Sequence, residues 1–256
     1  MFNIEKFDIK LDTEVIGRNF IYMEEVDSTN TFLLGSAKFN QNGTVVLAEE
    51  QLKGKGRLDR SWLSNADQNL TFSILLTEKI KPNRLNIINL GTSLIVAQSI
   101  ENLYQLKVNL KWPNDVLVAD KKIAGILLET TSMGSKIEKV VIGIGINVNQ
   151  PNFPGKYLTP PTSIRREFKE AVDRERLLSE ILNNFDEILP ICIKEPDKIL
   201  EDWKSRCNMF GEKIKVEDET GTRFGIFEDL DKEGHLIFKI DGNTEKIHFG
   251  DVSLRQ

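Results

Sequence analysis

The chain has 256 residues, 40% hydrophobic and 29% charged, with a formal net charge of −5. That length suits one large domain, or one of roughly 200 residues with a small appendage, and the acidic balance argues against a general nucleic-acid binder, which carries a basic surplus. The sparse cysteines (Cys192, Cys207) and histidines (His235, His248) disfavour a disulfide framework, a zinc or histidine-rich metal site and a Ser-His-Asp triad.

The N-terminal MFNIEKFDIKLD lacks the charged-then-apolar pattern of a secretory signal, and no apolar run reaches membrane-spanning length. Cytoplasmic residence is the expectation, and the sequons at Asn42 and Asn69 read as chance matches. Ile21–Val26 reads as a strand, followed by Asp27-Ser28-Thr29-Asn30, a helix-start cluster. Thr44–Ala48 is a β-branched strand and Asn69–Thr77 another; Arg84–Tyr104 has helical spacing, with Leu85, Ile88, Leu94, Ile95 and Ile100 near one broad face. Strands are predicted at Val108–Lys111, Val116–Ala119, Lys122–Glu129 and Val140–Val148, with turns at Asp120-Lys121 and Met133-Gly134-Ser135. The proline-rich 150–163 segment reads as an ordered loop, and amphipathic helices are predicted over Asp173–Leu189 and Pro196–Cys207. From Gly211 onward, short alternating strands suggest a small β-barrel or sheet of about 45 residues, which holds the histidines and needs to dock on the larger part.

Four clusters stand out. Gly54-Lys55-Gly56-Arg57-Leu58-Asp59-Arg60-Ser61-Trp62, with Lys53 before it, suits a polyphosphate: cations give charge-assisted hydrogen bonds, glycines admit the backbone and Trp62 can face a base. It is neither a Walker A loop nor a dinucleotide fingerprint, and a solvated basic loop is the alternative. Lys111-Trp112-Pro113-Asn114-Asp115 ends a strand; either Lys111 is aimed from a rigid element at a reacting phosphate, or the segment is a structural turn with Trp112 in the core. Asp115 suits a magnesium ion or an ion pair with Lys111. In Val141–Asn149, alternation places Ile142, Ile144, Ile146 and Val148 on one face and Gly143, Gly145 and Asn147 on the other. Such a strand makes a pocket floor or packs closely on a helix, and Gly125 fits the same part. Asp27–Asn30 caps a helix, presents polar groups to a neutral ligand, or both; Gln51 adds an amide of that kind.

Taken in order, DSTN, AEEQ-x-x-GKGRLDRSW, KWPNDV, KIAGILLE, GIGINVN and a terminal FGDVSLR resemble the biotin protein ligases (biotin–[acetyl-CoA-carboxylase] ligases) over nearly the whole chain. The family loop commonly reads GRGRRGRxW; here Lys55 replaces the first arginine, losing bidentate recognition, and Leu58-Asp59 replaces Arg-Gly. The resemblance implies an α+β fold, a mixed β-sheet flanked by helices of the class II synthetase kind, with a small C-terminal SH3-like β-barrel. It divides the chain into a catalytic biotin- and ATP-binding domain, 1–208, and a C-terminal domain, 209–256. Because the strand before DSTN begins within about twenty residues of the start, the form without an N-terminal DNA-binding unit is expected, hence no DNA partner.

The implied reaction is activation of biotin by ATP with Mg2+, then transfer to a lysine of a biotin carboxyl carrier protein domain; an exposed sheet edge also offers a contact for a homodimer. The resemblance assigns Lys111 and Arg57 as catalytic. It gives biotin Ser28, Thr29, Asn30, Gln51, Lys55, Gly56, Arg57, Lys111, Gly125, Gly143 and Gly145. To ATP it gives Lys55, Arg57, Arg60, Trp62, Lys111, Asn114 and Asn147, and to the metal Asp115. The loop at 53–61 is expected to order when the anion arrives. The alternatives are a lipoate or octanoate ligase or transferase of the same superfamily, and a non-catalytic biotin-binding regulator. Neither cysteine lies in a motif, which disfavours a thioester-using transferase.

Overall fold

The computed structural model describes residues 1–58, 60–63, 65–134, 136–218, 221–248 and 250–254. It begins α1 (Ile4–Asp8), β1 (Phe20–Val26), α2 (Thr29–Gly35), β2 (Val45–Gln51), β3 (Leu70–Leu76) and α3 (Leu85–Tyr104). There follow β4 (Val108–Lys111), β5 (Asp115–Val118), β6 (Lys121–Met133), β7 (Lys136–Ile146), α4 (Ile164–Phe168), α5 (Arg174–Lys194) and α6 (Pro196–Ser205). The chain ends in β8 (Lys213–Asp218), β9 (Gly221–Leu230), β10 (Leu236–Ile240), β11 (Asn243–Ile247) and β12 (Asp251–Leu254). A seven-stranded sheet runs β1-β2-β3-β7-β6-β5-β4, with β1 and β2 parallel and the other neighbours antiparallel. A second, five-stranded antiparallel sheet runs β11-β10-β9-β8-β12. The expected α+β architecture, a mixed sheet flanked by helices with a small C-terminal β-unit, is what the chain adopts.

The spacing predicted one apolar face for α3, but it is buried on almost every side, including Thr92, Ser93 and Ser99. It lies between strands β4–β6 and helices α5 and α6. Its hydroxyls are satisfied by carbonyls one turn back, Thr92 Oγ1 donating to Ile88 at 2.7 Å and Ser99 Oγ to Ile95 at 2.9 Å. Gly91 sits where α3 meets α5; a Cβ there would collide with Cys192 Sγ. Helix α5 does not stop at Leu189 but continues through Pro190 to Lys194, because Cys192 extends its buried face. Two five-residue helices, α1 and α4, were not expected; each starts at a side-chain cap, Asn3 and Ser163. The start of α5 carries buried Arg174, paired with buried Glu49 of β2 at 2.6 Å. Burial would raise the Glu49 carboxyl, but the Arg174 guanidinium holds it below its ordinary value.

Opposed residues across a sheet share a face. One register row therefore aligns Lys111, Asp115, Gly125, Gly145 and Thr71 on β4, β5, β6, β7 and β3. Leu127, Gly143 and Ser73 form the parallel row two residues on. The other face, with Ile142, Ile144 and Ile146, packs into the main core. Helix α2 covers one end of the glycine-bearing face through a small cluster of Leu33, Val46, Leu75 and Val141. Seven residues make a helix too short to persist alone. Ser28 caps its first turn, while Lys139 Nζ of β7 donates to the carbonyls of Leu33, Leu34 and Ser36 at its end. The rest of that face stays open. The C-terminal unit docks beside it: Trp112 Nε1 donates 3.1 Å to Gly234 O in the β9–β10 turn.

Candidate active site

The open part of the face is the floor of a cleft of about 1250 Å³. Every residue that the sequence nominated for biotin, ATP or metal lines it, from Ser28, Thr29, Asn30 and Gln51 through Lys55, Gly56, Arg57, Arg60 and Trp62 to Lys111, Asn114, Asp115, Gly125, Gly143, Gly145 and Asn147. Asp59 lies outside the described residues.

One end is neutral and polar. Thr29 donates to Gln51 Oε1 from both its backbone N–H, at 2.9 Å, and its hydroxyl, at 3.0 Å. Ser73 Oγ lies 2.7 Å from Thr29 Oγ1 and 2.6 Å from Asn30 Oδ1. The Asn30 amide donates to Leu127 O at 3.1 Å and to Glu129 Oε2 at 2.7 Å. Gly143 is needed here, since a Cβ would strike Asn30 Oδ1. Within Asp27–Asn30, Ser28, Thr29 and Asn30 thus both start a helix and wall the cleft, while Asp27 pairs with Lys53 outside it.

The other end is cationic. The loop before β3 is folded by Gly56 N–H donating to Arg60 O at 2.6 Å and Trp62 N–H to Gly54 O at 2.9 Å. Gly54 faces the Trp62 carbonyl too closely for any side chain. Arg57 is largely buried; its guanidinium donates 3.0 Å to Gly250 O and 3.4 Å to Asn114 Oδ1, and lies 3.6 Å from Asp251. Arg60 pairs with the same Asp251, Lys55 approaches Glu129 at 3.8 Å and Lys53 pairs with Asp27 at 2.8 Å. A loop expected to order on an arriving anion already has protein carboxylates against its cations. Burial, partly offset by Asp251 and Asp115, pushes the Arg57 guanidinium below its ordinary value. Burial, partly offset by Asp115, likewise lowers the Lys111 ammonium. Lys111 Nζ donates 2.9 Å to Thr159 Oγ1.

Trp62 lies over the glycine floor: a Cβ at Gly145 would collide with its indole and one at Gly125 would touch it. Its Nε1 is buried without a hydrogen-bond partner among the described residues, and Lys122 Nζ lies 5.7 Å from the ring centroid. Asp115, which the sequence offered to a metal or to Lys111, pairs instead with Lys122 at 2.5 Å. Magnesium binds through one or two carboxylates plus phosphates, and Asp115 fits that pattern with Lys122 as the cation to be displaced. In the C-terminal unit, ligand atoms of Asp231, Glu233 and His235 lie within 4.8 Å of one another, but Lys246 Nζ already sits 2.5 Å from Asp231.

Sequence reasoning missed Lys122, Glu129, Thr159 and Asp251. The first two stand inside KIAGILLE and Asp251 inside FGDVSLR, so those motifs were the available signal; Thr159 had only its place before two prolines.

The profile of the biotin/lipoate A/B protein ligase family matches residues 22–147, and that of the biotin protein ligase C-terminal domain residues 209–255. The bifunctional ligase/repressor BirA of Bacillus subtilis is 32% identical over 250 residues, covering 95% of this chain and 76% of that protein. The biotin–[acetyl-CoA-carboxylase] ligase of Paracoccus denitrificans is 31% identical, covering 90% of this chain and 98% of that one. The biotin protein ligase of Aquifex aeolicus, solved in complex with biotin and ATP, superposes with a TM-score of 0.80 at 31% identity, over 93% of this chain and 99% of that one. The chain belongs to the biotin protein ligases, within the biotin/lipoate A/B protein ligase family.

Proposed function

We infer that this protein is an ATP-dependent biotin protein ligase, acting in the cleft of about 1250 Å³. The biotin carboxylate attacks the α-phosphate of ATP, giving biotinyl-5′-AMP and releasing pyrophosphate. The ε-amine of an acceptor lysine then attacks the carbonyl of the mixed anhydride, and AMP leaves. The observation that carries this reading is one sheet face with a neutral polar end at Thr29 and Gln51 and a cationic end at Lys111 and Arg57.

The roles follow from charge and shape. Both reactants of the first step are anions, so fixed cations must bring them together and stabilise charge on the phosphorus oxygens. Lys111 at the end of β4 would bridge the carboxylate and the α-phosphate, with Arg57, Lys55 and Arg60 on the phosphates. Ser28, Thr29, Asn30 and Gln51 would face the ureido head, and Gly56, Gly125, Gly143 and Gly145 would leave room along the biotin. Trp62, Asn114 and Asn147 would take the nucleotide side. Asp115 would hold the magnesium of the ATP, an ion that offsets phosphate charge. Binding both substrates in one cleft supplies the orientation that a bimolecular attack needs. We assign this catalytic unit to 1–208 and the appended β-unit to 209–256. The acceptor would be a biotin carboxyl carrier protein domain of a carboxylase, and edge strands β1 and β4 are where a carrier strand or a second copy would pair.

Exchange of labelled pyrophosphate into ATP tests the reading. It should require biotin, ignore lipoate and octanoate, and vanish in Lys111→Ala. Exchange independent of biotin, or surviving that substitution, would overturn it.

A further inference from the structure

The proline-rich segment 150–163 has no part in the reading above, yet Phe153, Tyr157 and Thr159 form one wall of the cleft. We propose that Thr159 is the positioning residue for Lys111, its hydroxyl fixing the ammonium so that the remaining N–H groups meet the carboxylate and the α-phosphate. The proposal rests on Lys111 bridging those two reactants.

The local sequence makes Thr159 a rigid acceptor. It precedes Pro160, which confines it to extended backbone, and β-branching narrows its side-chain rotamers. Immediately after it, Pro160 O accepts 2.8 Å from Lys122 N–H and Thr162 N–H donates 2.9 Å to Lys122 O. These bonds strap the segment to the start of β6 as a short parallel bridge. Strand β6 pairs with β5, and β5 with β4, whose last residue is Lys111. Donor and acceptor are therefore referred to the same sheet, Lys111 directly and Thr159 through the strap, and meet at 2.9 Å.

The kind of acceptor matters as much as its place. A lysine carries three N–H donors on a flexible stem, and its direction is set by what it bonds to. A carboxylate partner would orient it but cancel its charge. Asp115 stands opposite Lys111 in the strand register but is taken up by Lys122 at 2.5 Å. Among the described residues, the other charged groups that act on Lys111 are Lys122, Asp251 and Arg60, and Asp251 is itself occupied by arginines. A neutral hydroxyl takes one N–H and leaves the positive charge for the anionic substrates.

The test is steady-state biotin-dependent pyrophosphate exchange with Thr159→Val, Thr159→Ala, Thr159→Ser and Lys111→Ala in the full chain. Removing the hydroxyl should lower kcat by about tenfold with KM for biotin and ATP within about twofold, while Thr159→Ser restores kcat. Thr159→Ala supplies the same comparison should Thr159→Val not fold. Wild-type kcat in both hydroxyl-free variants, a serine variant as slow as the valine one, or a loss confined to KM would each overturn the proposal. If Lys111→Ala keeps its exchange, the role of Lys111 fails first; if only the threonine variants behave as wild type, the proposal alone fails.

Discussion

Arg57, in the loop before β3, and Asp251, at the start of β12, stand 3.6 Å apart across the junction of the two sheets. Arg60 reaches the same carboxylate, so one anion from the C-terminal unit holds two cations of the cleft. Without it, the largely covered Arg57 guanidinium would face the more exposed Arg60 guanidinium, three positions on, with no carboxylate between them.

The expected effect of Asp251→Asn, which keeps the shape and removes the charge, is about a tenfold lower rate of biotin-dependent pyrophosphate exchange. Kinetics at constant ionic strength measure it, and an undiminished rate would show that the arginines hold their places without this carboxylate.

Gly145→Ala should separate binding from stability. The new Cβ would displace the Trp62 indole, but Trp62 belongs to a loop and not to the packed core. KM for ATP is expected to rise by about tenfold through lost aromatic contact, with the melting temperature little changed. A variant with wild-type KM would place the nucleotide away from this tryptophan.

Gly91→Ala should do the reverse. Its Cβ would meet Cys192 Sγ inside the α3–α5 contact, where overpacking costs roughly 2 kcal/mol. Urea unfolding should register that loss while KM stays constant, and Cys192→Ala should restore about half by removing the sulfur.

Acid should weaken the C-terminal unit at a definable group. Burial alone would raise the Asp231 carboxyl, but the Lys246 ammonium and the His235 and Glu233 backbone N–H groups hold it at about 2, below its usual 3.8. A depressed carboxylate contributes stability fully above its unfolded value and loses it as pH falls through the folded one. The contribution, reduced by solvent screening at this partly exposed carboxylate, should therefore fade between about pH 4 and pH 2. Asp231→Asn should flatten that part of the stability profile measured by chemical denaturation; an unchanged slope would assign the acid response to other carboxylates.

Much of the fold was legible because strong local signals mark it. The alternation through Ile142, Gly143, Ile144 and Gly145 placed the isoleucines in the core and the glycines toward the cleft, and the spacing of Arg84–Tyr104 marked α3. The five-residue α1 and α4 were missed because they depend on single caps rather than on periodicity. The burial of α3 on almost every side was hidden too, since its serines and threonines look polar until their hydroxyls bond to the helix's own carbonyls. In the cleft, motif residues were legible by type, while their companions were not. Asp251 reaches Arg57 from 194 positions away (251 − 57), and Thr159 reaches Lys111 from a different segment, so no local pattern reveals either pairing.

The Lys139 ammonium at the end of α2 has an entropic consequence. A helix of two turns would ordinarily fray, and a ligand reaching Thr29 and Asn30 would first have to freeze it. Tied at both ends, it meets the ligand already ordered, so this helix adds little to the loss of freedom on binding. Amide hydrogens of α2 should exchange slowly before any ligand is added, and Lys139→Met should make binding entropically less favourable without touching a single ligand atom.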